Sequence, residues 1–360
     1  MIDWSIAQRV AALVGGQPGA DAGPVGPSAA VPALPQDIDE RARDYARRIT
    51  DYTGLVPAHT LPAPEAVDRA GWVAANLDSM RPLLEPLADR VGGGLGSLGA
   101  AGRAVSGVVL GAQVGLLTGL LSQRVLGQYD LVLLDATAPT RLLLVTPNLV
   151  EAAAKLGVDR EELVSWVAVH EVTHAVQFTG VQWLRGHLAG LVGELLEGLD
   201  VKIKPAGLLR MPERAELAGL VEAVRKGDLV SIVLGPERQA VVDRIQATMS
   251  LIEGHAEHVM DAVGAQLLPS LPALRAALDR RRATRSPAWR ILERLLGLEL
   301  KMRQYEQGRR FCDGVVQQGG MEALNRAWSS PQALPSLAEL QSPRAWVNRT
   351  RVRELTSPDA

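Results

Sequence analysis

Apolar residues recur at three-to-four spacing along most of the chain, which is the period of a helix with one buried face. Residues 4–14 show this pattern, and so does the segment after Asp37, where Tyr45 and Ile49 share the apolar side. Asp37 is suited to cap that segment, because its carboxylate accepts a hydrogen bond from a backbone N–H of the first helical turn. Both segments are therefore predicted to be amphipathic helices.

Two short stretches depart from the helical period and predict strands. Residues 129–135 (YDLVLLD) and 141–146 (RLLLVT) are apolar runs joined by a proline-containing turn. Residues 229–234 are a weaker strand candidate, followed by a predicted long helix over 237–267. Another helix is predicted to begin near Pro64, since proline is tolerated in a first turn. The chain is thus predicted to be mainly α-helical with a small β-sheet, an α+β fold.

A charge-free stretch, residues 104–123, is long enough to span a bilayer. Glycines stand at every fourth position from Gly107 to Gly119 and make a smooth stripe that permits close contact between helix backbones. Polar residues such as Gln113 lower its hydrophobicity, and the sequence has no second span of this kind. A buried core helix is therefore favoured over a membrane-touching one.

The segment EELVSWVAVHEVTHAVQF predicts the helix that matters most for chemistry. Its apolar residues keep the helical period, and Asp159 is placed to cap it, with Glu162 three residues later. His170 and His174 are four residues apart, so they project from one face and can hold one metal ion. Glu171 is placed to reach a water on that ion rather than the ion itself.

A catalytic zinc site needs a third protein ligand and an open position for water. Candidates crowd the segment MSLIEGHAEHVMD, which contains Glu253, His255, Glu257 and His258. Glu253 and Glu257 are four residues apart and share a helix face, so both can turn toward the metal. The spacing alone leaves the choice of third ligand open.

The motif HEVTH, followed on a later helix by a Glu-Gly-x-Ala segment, resembles the gluzincin metallopeptidases, the thermolysin-like and aminopeptidase-type enzymes. The resemblance implies a zincin-like fold with Glu253 as the third zinc ligand. It places Glu257 where those enzymes commonly have an aspartate that accepts a hydrogen bond from a ligand histidine. His258 is assigned to the same supporting layer, and His255 or His258 remains an alternative third ligand.

Nearly the whole chain also resembles an actinobacterial family of zincin-like hydrolases. The resemblance rests on DWSIAQR, TGLVP, VTPNL, HEVTHAVQF, EGHAEHVMD and LGLELKMRQYEQGRRF. Members that begin like this chain are named for gene association with the biosynthesis of a deazaflavin coenzyme. That name implies genomic neighbourhood and not binding of the coenzyme.

Composition limits the partners and the compartment. The net charge of -2 gives no electrostatic case for nucleic acid binding. Cys312 is the only cysteine, so no internal disulfide forms, as expected in a reducing cytoplasm. The N-terminus has no basic segment ahead of an apolar core and does not resemble a signal peptide. We expect a cytoplasmic protein, and the sequence does not predict its oligomeric state.

The chain is predicted to be organised around one catalytic domain. Residues 1–36 are expected to form an N-terminal helix and a linker rich in Gly, Ala and Pro. Residues 37–360 are expected to form a single zincin-like domain. Its parts would be a helical region over 37–127, a zinc-site core over 128–328 and a wrapping tail over 329–360.

These features predict a zinc-dependent metallopeptidase that acts on a peptide or amide, with Glu171 as the general base. Tyr305 is the candidate donor to the oxyanion, because a phenol hydrogen-bonds without carrying charge. The strand 141–146 is the candidate edge on which an extended substrate pairs. The alternative is a zincin-fold protein that keeps its metal but has a scaffolding or regulatory role. Glu171 argues against that alternative, since a structural metal site needs no general base.

Overall fold

Helices make up most of the protein, as predicted. The computed structural model describes residues 2–16, 31–94, 99–133, 135, 138–197, 229–283 and 298–356. The helices are α1 (Trp4–Val14), α2 (Ile38–Thr53), α3 (Arg69–Gly94), α4 (Gly99–Ser122), α5 (Thr146–Leu156), α6 (Arg160–Gly180), α7 (Gln182–Glu197), α8 (Leu229–Leu267), α9 (Leu271–Ala283), α10 (Leu298–Asn325), α11 (Leu337–Leu340) and α12 (Pro343–Thr356). The strands are β1 (Pro64–Val67), β2 (Gly127–Asp130) and β3 (Arg141–Val145). The predicted class, mainly α with a small sheet, is confirmed.

The three strands form one sheet in the order β1-β3-β2. Strand β1 pairs parallel to β3, and β2 pairs antiparallel to it. Strand β3 is therefore central, and its apolar residues from Leu142 to Val145 are fully buried. The expectation that this strand is the free edge was wrong, because its backbone hydrogen bonds are used by a neighbour on each side.

Two other sequence predictions were also wrong at this level. Pro64–Val67 forms a strand rather than the first turn of a helix, because it pairs in register with β3. The helix begins at Arg69, after Asp68, whose carboxylate accepts a hydrogen bond from the backbone N–H of Gly71 at 2.7 Å. The predicted strand over 229–234 is instead the start of α8. Residues 198–228, which precede α8, lie outside the described residues.

The chain packs as two compact units, and their boundaries fall inside α2, after Arg43, and inside α6, after Val172. The first unit contains α1, α3, α4, α5 and the sheet. Its buried cluster includes Ala7, Trp72 and Leu143. The second unit contains α7 to α12 and the C-terminal ends of α2 and α6.

The glycine stripe of α4 packs against α1 in the first unit. A Cβ at Gly111 would lie 2.3 Å from the carbonyl oxygen of Asp3, and one at Gly115 would lie 2.2 Å from that of Ala7. No side chain fits there, so the stripe allows two helix backbones to touch. Among the described residues, Val105–Ser122 is the segment apolar and long enough to cross a membrane, and 33% of it is buried. The choice between a core helix and membrane contact stays a prediction.

Glycines also bring α8 and α10 together in the second unit, and this contact seats the helix that carries the predicted third ligand. A Cβ at Gly254 would lie 2.1 Å from the carbonyl carbon of Gly308. A Cβ at Gly308 would lie 1.9 Å from the carbonyl oxygen of Ser250. The chain after Ser329 packs on α10, where Trp346 is fully buried with its ring edge-on to Phe311.

Candidate metal centre

Helix α6 carries both motif histidines, and local sequence explains why it forms. The backbone N–H of Glu162 donates to the carboxylate of Asp159 at 2.9 Å, which confirms the predicted cap. Most apolar side chains of the helix, among them Val167 and Val172, are buried. One continuous helix therefore holds His170 and His174 one turn apart on the same face.

The structure brings Glu253 of α8 to these histidines. One ligand atom from each of His170, His174 and Glu253 lies within 4.8 Å of the others. The Nε2 atom of His174 lies 3.6 Å from Oε2 of Glu253. These three side chains are close enough to share one metal ion, and they form the single group of this kind in the described residues.

The donor set and its spacing fit zinc. Two imidazole nitrogens and one carboxylate oxygen make a common catalytic ligand set, and they leave a position for water or substrate. Metal–ligand bonds of about 2.0–2.2 Å in a tetrahedron place ligand atoms roughly 3.4 Å apart. The 3.6 Å between His174 and Glu253 is close to that value before any adjustment. The residues present therefore fit a zinc site.

Neighbouring side chains orient the two histidine rings. The indole of Trp166 lies nearly parallel to the ring of His170, at 14° and with 6.3 Å between ring centres. The Nδ1 atom of His174 is 3.4 Å from Oε1 of the buried Gln177. An amide oxygen only accepts, so Nδ1 is the donor in this contact, and the neutral tautomer that donates from Nδ1 has its lone pair on Nε2.

Glu171 is buried and held by the sheet. Its Oε2 atom accepts a hydrogen bond of 2.7 Å from the backbone N–H of Tyr129 on β2. The N-terminal end of β2 lies directly against α6. A Cβ built on Gly127 would be only 3.0 Å from Cγ of Glu171. The carboxylate next to the first motif histidine is therefore in a fixed position at the edge of the sheet.

The two residues predicted to support the ligands, Glu257 and His258, contact side chains outside the three-ligand group. The carboxylate of Glu257 accepts a hydrogen bond of 3.1 Å from Arg275. His258 lies between two residues that the sequence analysis did not single out. Its Nε2 is 2.8 Å from the hydroxyl of Tyr52, and its Nδ1 is 2.7 Å from the carboxylate of Asp313. These partners come from α2 and α10, and no sequence spacing connects them to α8.

His255 is buried in the core and is not part of the three-ligand group. It is 1% exposed, and its ring stands edge-on to Trp328 with 5.4 Å between ring centres. Burial, and then the nearby rings of His258 and His174, lower the pKa of His255 to about 3. The imidazole is therefore neutral at physiological pH. Among Glu253, His255 and His258, the geometry favours Glu253 as the third ligand.

The predicted oxyanion donor, Tyr305, lies on α10, and its side chain is outside the described residues. Tyr52 and Gly127 were missed by sequence reasoning. Tyr52 is on a helix far from both metal-binding segments along the chain, and Gly127 is one of many glycines. A tertiary contact was needed to find either residue.

Comparison with known proteins agrees with this geometry. The sequence profile of a family described as "Zincin-like metallopeptidase" matches residues 2–347. No curated protein matches the chain. A crystal structure of "a putative hydrolase with a novel fold" from Chloroflexus aurantiacus is similar, with 31% sequence identity and a TM-score of 0.66. The match covers 98% of this chain and 99% of that one. The chain therefore belongs to the zincin-like metallopeptidase family.

Proposed function

We propose that this protein is a zinc-dependent hydrolase of the gluzincin type that cleaves peptide or amide bonds in the cytoplasm. The observation that carries the proposal is the convergence of His170, His174 and Glu253, with the buried carboxylate of Glu171 beside them. A site that only bound metal for stability would have no use for a buried carboxylate at that position. Membership of a metallopeptidase family supports the same chemistry.

His170, His174 and Glu253 would hold the ion. When bound, zinc supplies a Lewis acid that makes a water more acidic and polarises a carbonyl. Glu171 takes the proton of the attacking water on Oε1, while the Tyr129 N–H holds Oε2. The same carboxyl group then gives the proton to the leaving nitrogen, and the acyl product departs as an acid. Tyr305 remains the proposed donor to the oxyanion.

The test compares wild type with Glu171→Gln. Both proteins should purify with about one zinc per chain, because Glu171 is not a metal ligand. Wild type should hydrolyse members of a broad peptide library, and Glu171→Gln should be at least about 100-fold slower. The control is Glu161→Gln on the same helix, an exposed carboxylate whose contact with Arg41 is a surface ion pair, and it should keep wild-type turnover.

Two results would end this proposal. Wild type that carries no zinc after addition of the metal would exclude the metallohydrolase. Equal turnover by wild type and Glu171→Gln would remove the general base. A wild type that holds zinc but hydrolyses nothing in the library would favour the scaffolding role predicted as the alternative.

A further inference from the structure

The edge of β2 that does not pair with β3 faces helix α6. In the antiparallel pair formed with β3, the backbone N–H of Val145 donates to the carbonyl oxygen of Leu126 at 2.9 Å. Backbone groups alternate in such a ladder, so Gln128 also points toward β3 while Gly127 and Tyr129 point away. The outward N–H of Tyr129 is the one that donates to Glu171.

Residue 127 has no room for a side chain. A Cβ there would lie 2.5 Å from Cγ1 of Val167, 3.0 Å from Cγ of Glu171 and 3.2 Å from its Oε1. Its φ is not in the left-handed region, so the backbone conformation would allow other residues. The need for glycine is therefore steric, and it is set by the two α6 side chains that face the strand.

We propose that Gly127 is a positioning residue for Glu171: by lacking a side chain it lets β2 approach α6 until the Tyr129 N–H holds Oε2 and leaves Oε1 for the proton. The inference rests on the proposed function, since it concerns the general base of that reaction. Neither the HEVTH motif nor the family match assigns this role to Gly127.

The hydrogen bond from the Tyr129 N–H suits the role of Glu171 as a general base. A backbone N–H only donates, so the oxygen it holds stays an acceptor and the carboxylate plane cannot rotate freely. A general base works when its oxygen is within hydrogen-bond reach of the proton it removes. A methyl group at residue 127 would press on the Glu171 oxygen that receives the proton. A misplacement of about 1 Å costs roughly 100-fold in rate.

The experiment uses Gly127→Ala, Val167→Ala and the double variant, each loaded with zinc. Gly127→Ala should lower both the melting temperature and kcat, because the methyl meets Val167 and Glu171. Val167→Ala alone should keep kcat, since it removes only apolar contact. The double variant relieves the closest contact, so its melting temperature should return to that of Val167→Ala. Its kcat on the peptide library should stay roughly 10- to 100-fold lower with KM little changed.

The matched control is Gly190→Ala on α7. A Cβ there meets no atom of the described residues within 4 Å, so the substitution should leave both kcat and the melting temperature unchanged or slightly raise the latter. Wild-type kcat in the double variant, with its methyl still against Glu171, would overturn the proposal. It would mean that Gly127 serves only the packing of the strand.

A second measurement needs no substrate and separates this inference from the proposed function. Amide hydrogen exchange at Tyr129 should be slow in wild type and in Glu171→Gln, whose side-chain oxygen still accepts the bond. It should be about tenfold faster or more in Glu171→Ala and in the double variant. Equal exchange in wild type and Glu171→Ala would overturn the inference even if the enzyme is active. Inactive wild type with the expected exchange pattern would refute only the hydrolase.

Discussion

The Nε2 atom of His174 lies 3.6 Å from Oε2 of Glu253, a contact that joins helix α6 to helix α8. Each atom is the one expected to bind a metal. A neutral imidazole nitrogen and a carboxylate oxygen both offer lone pairs, so they gain little from each other without a cation between them. The pair therefore indicates an ion-binding position. The other histidine of this site, His170, lies one turn before His174 on α6.

Glu253→Ala should largely empty the zinc site, because it removes one of three ligands. Glu257→Ala is the matched control, being the same substitution one turn away on the same helix. It should weaken zinc binding by at most roughly 10- to 100-fold, as expected for a residue that only supports the ligands. Competition with a chelator of known strength gives both affinities. Wild-type zinc binding by Glu253→Ala would rule out the His-His-Glu site.

Glu257 and Arg275 should be coupled in stability. Their carboxylate and guanidinium are 3.1 Å apart, and the two side chains are only 14% and 21% exposed. A double-mutant cycle with alanine at each position should give a coupling of about 1–3 kcal/mol in chemical unfolding. The control cycle is the exposed pair Arg310 and Glu306, which should give less than about 1 kcal/mol. Equal couplings for the two pairs would contradict the prediction.

Gly111→Leu should destabilise the protein by on the order of a few kcal/mol, since its Cβ would collide with the backbone of Asp3. The same change at Gly190 should cost little, because a Cβ there has no neighbour within 4 Å in the described part of the chain. Chemical unfolding of both variants measures the difference. Similar stability for the two would mean that the contact between α1 and α4 does not form in solution.

Cys312 should be unreactive in the native protein. Its side chain is fully buried, and burial followed by the nearby charge of Asp313 raises the pKa of the thiol. A thiol reagent such as iodoacetamide should modify no cysteine under native conditions and one per chain in denaturant. Rapid modification of the native protein would place Cys312 at the surface.

The zinc motif could be interpreted without a structure because its geometry is local. His170 and His174 share a face of any helix that contains them, and Asp159 and Glu162 mark where that helix begins. The fold class could also be inferred, since helical periodicity extends over most of the chain. Glu253 was reached through resemblance, and the two carboxylates of its segment were equivalent by spacing alone.

Sheet pairing and the surroundings of Glu171 depended on tertiary structure. Pro64–Val67 is a strand because β3 lies beside it, and four residues beginning with proline carry no strand signal of their own. The same pairing makes β3 central and turns the edge of β2 toward α6. The steric need for glycine at residue 127 comes from the side chains of Val167 and Glu171, which lie about 40 residues later in the chain. Helix-face relationships are encoded over a few residues, whereas contacts between distant segments depend on how the whole chain packs.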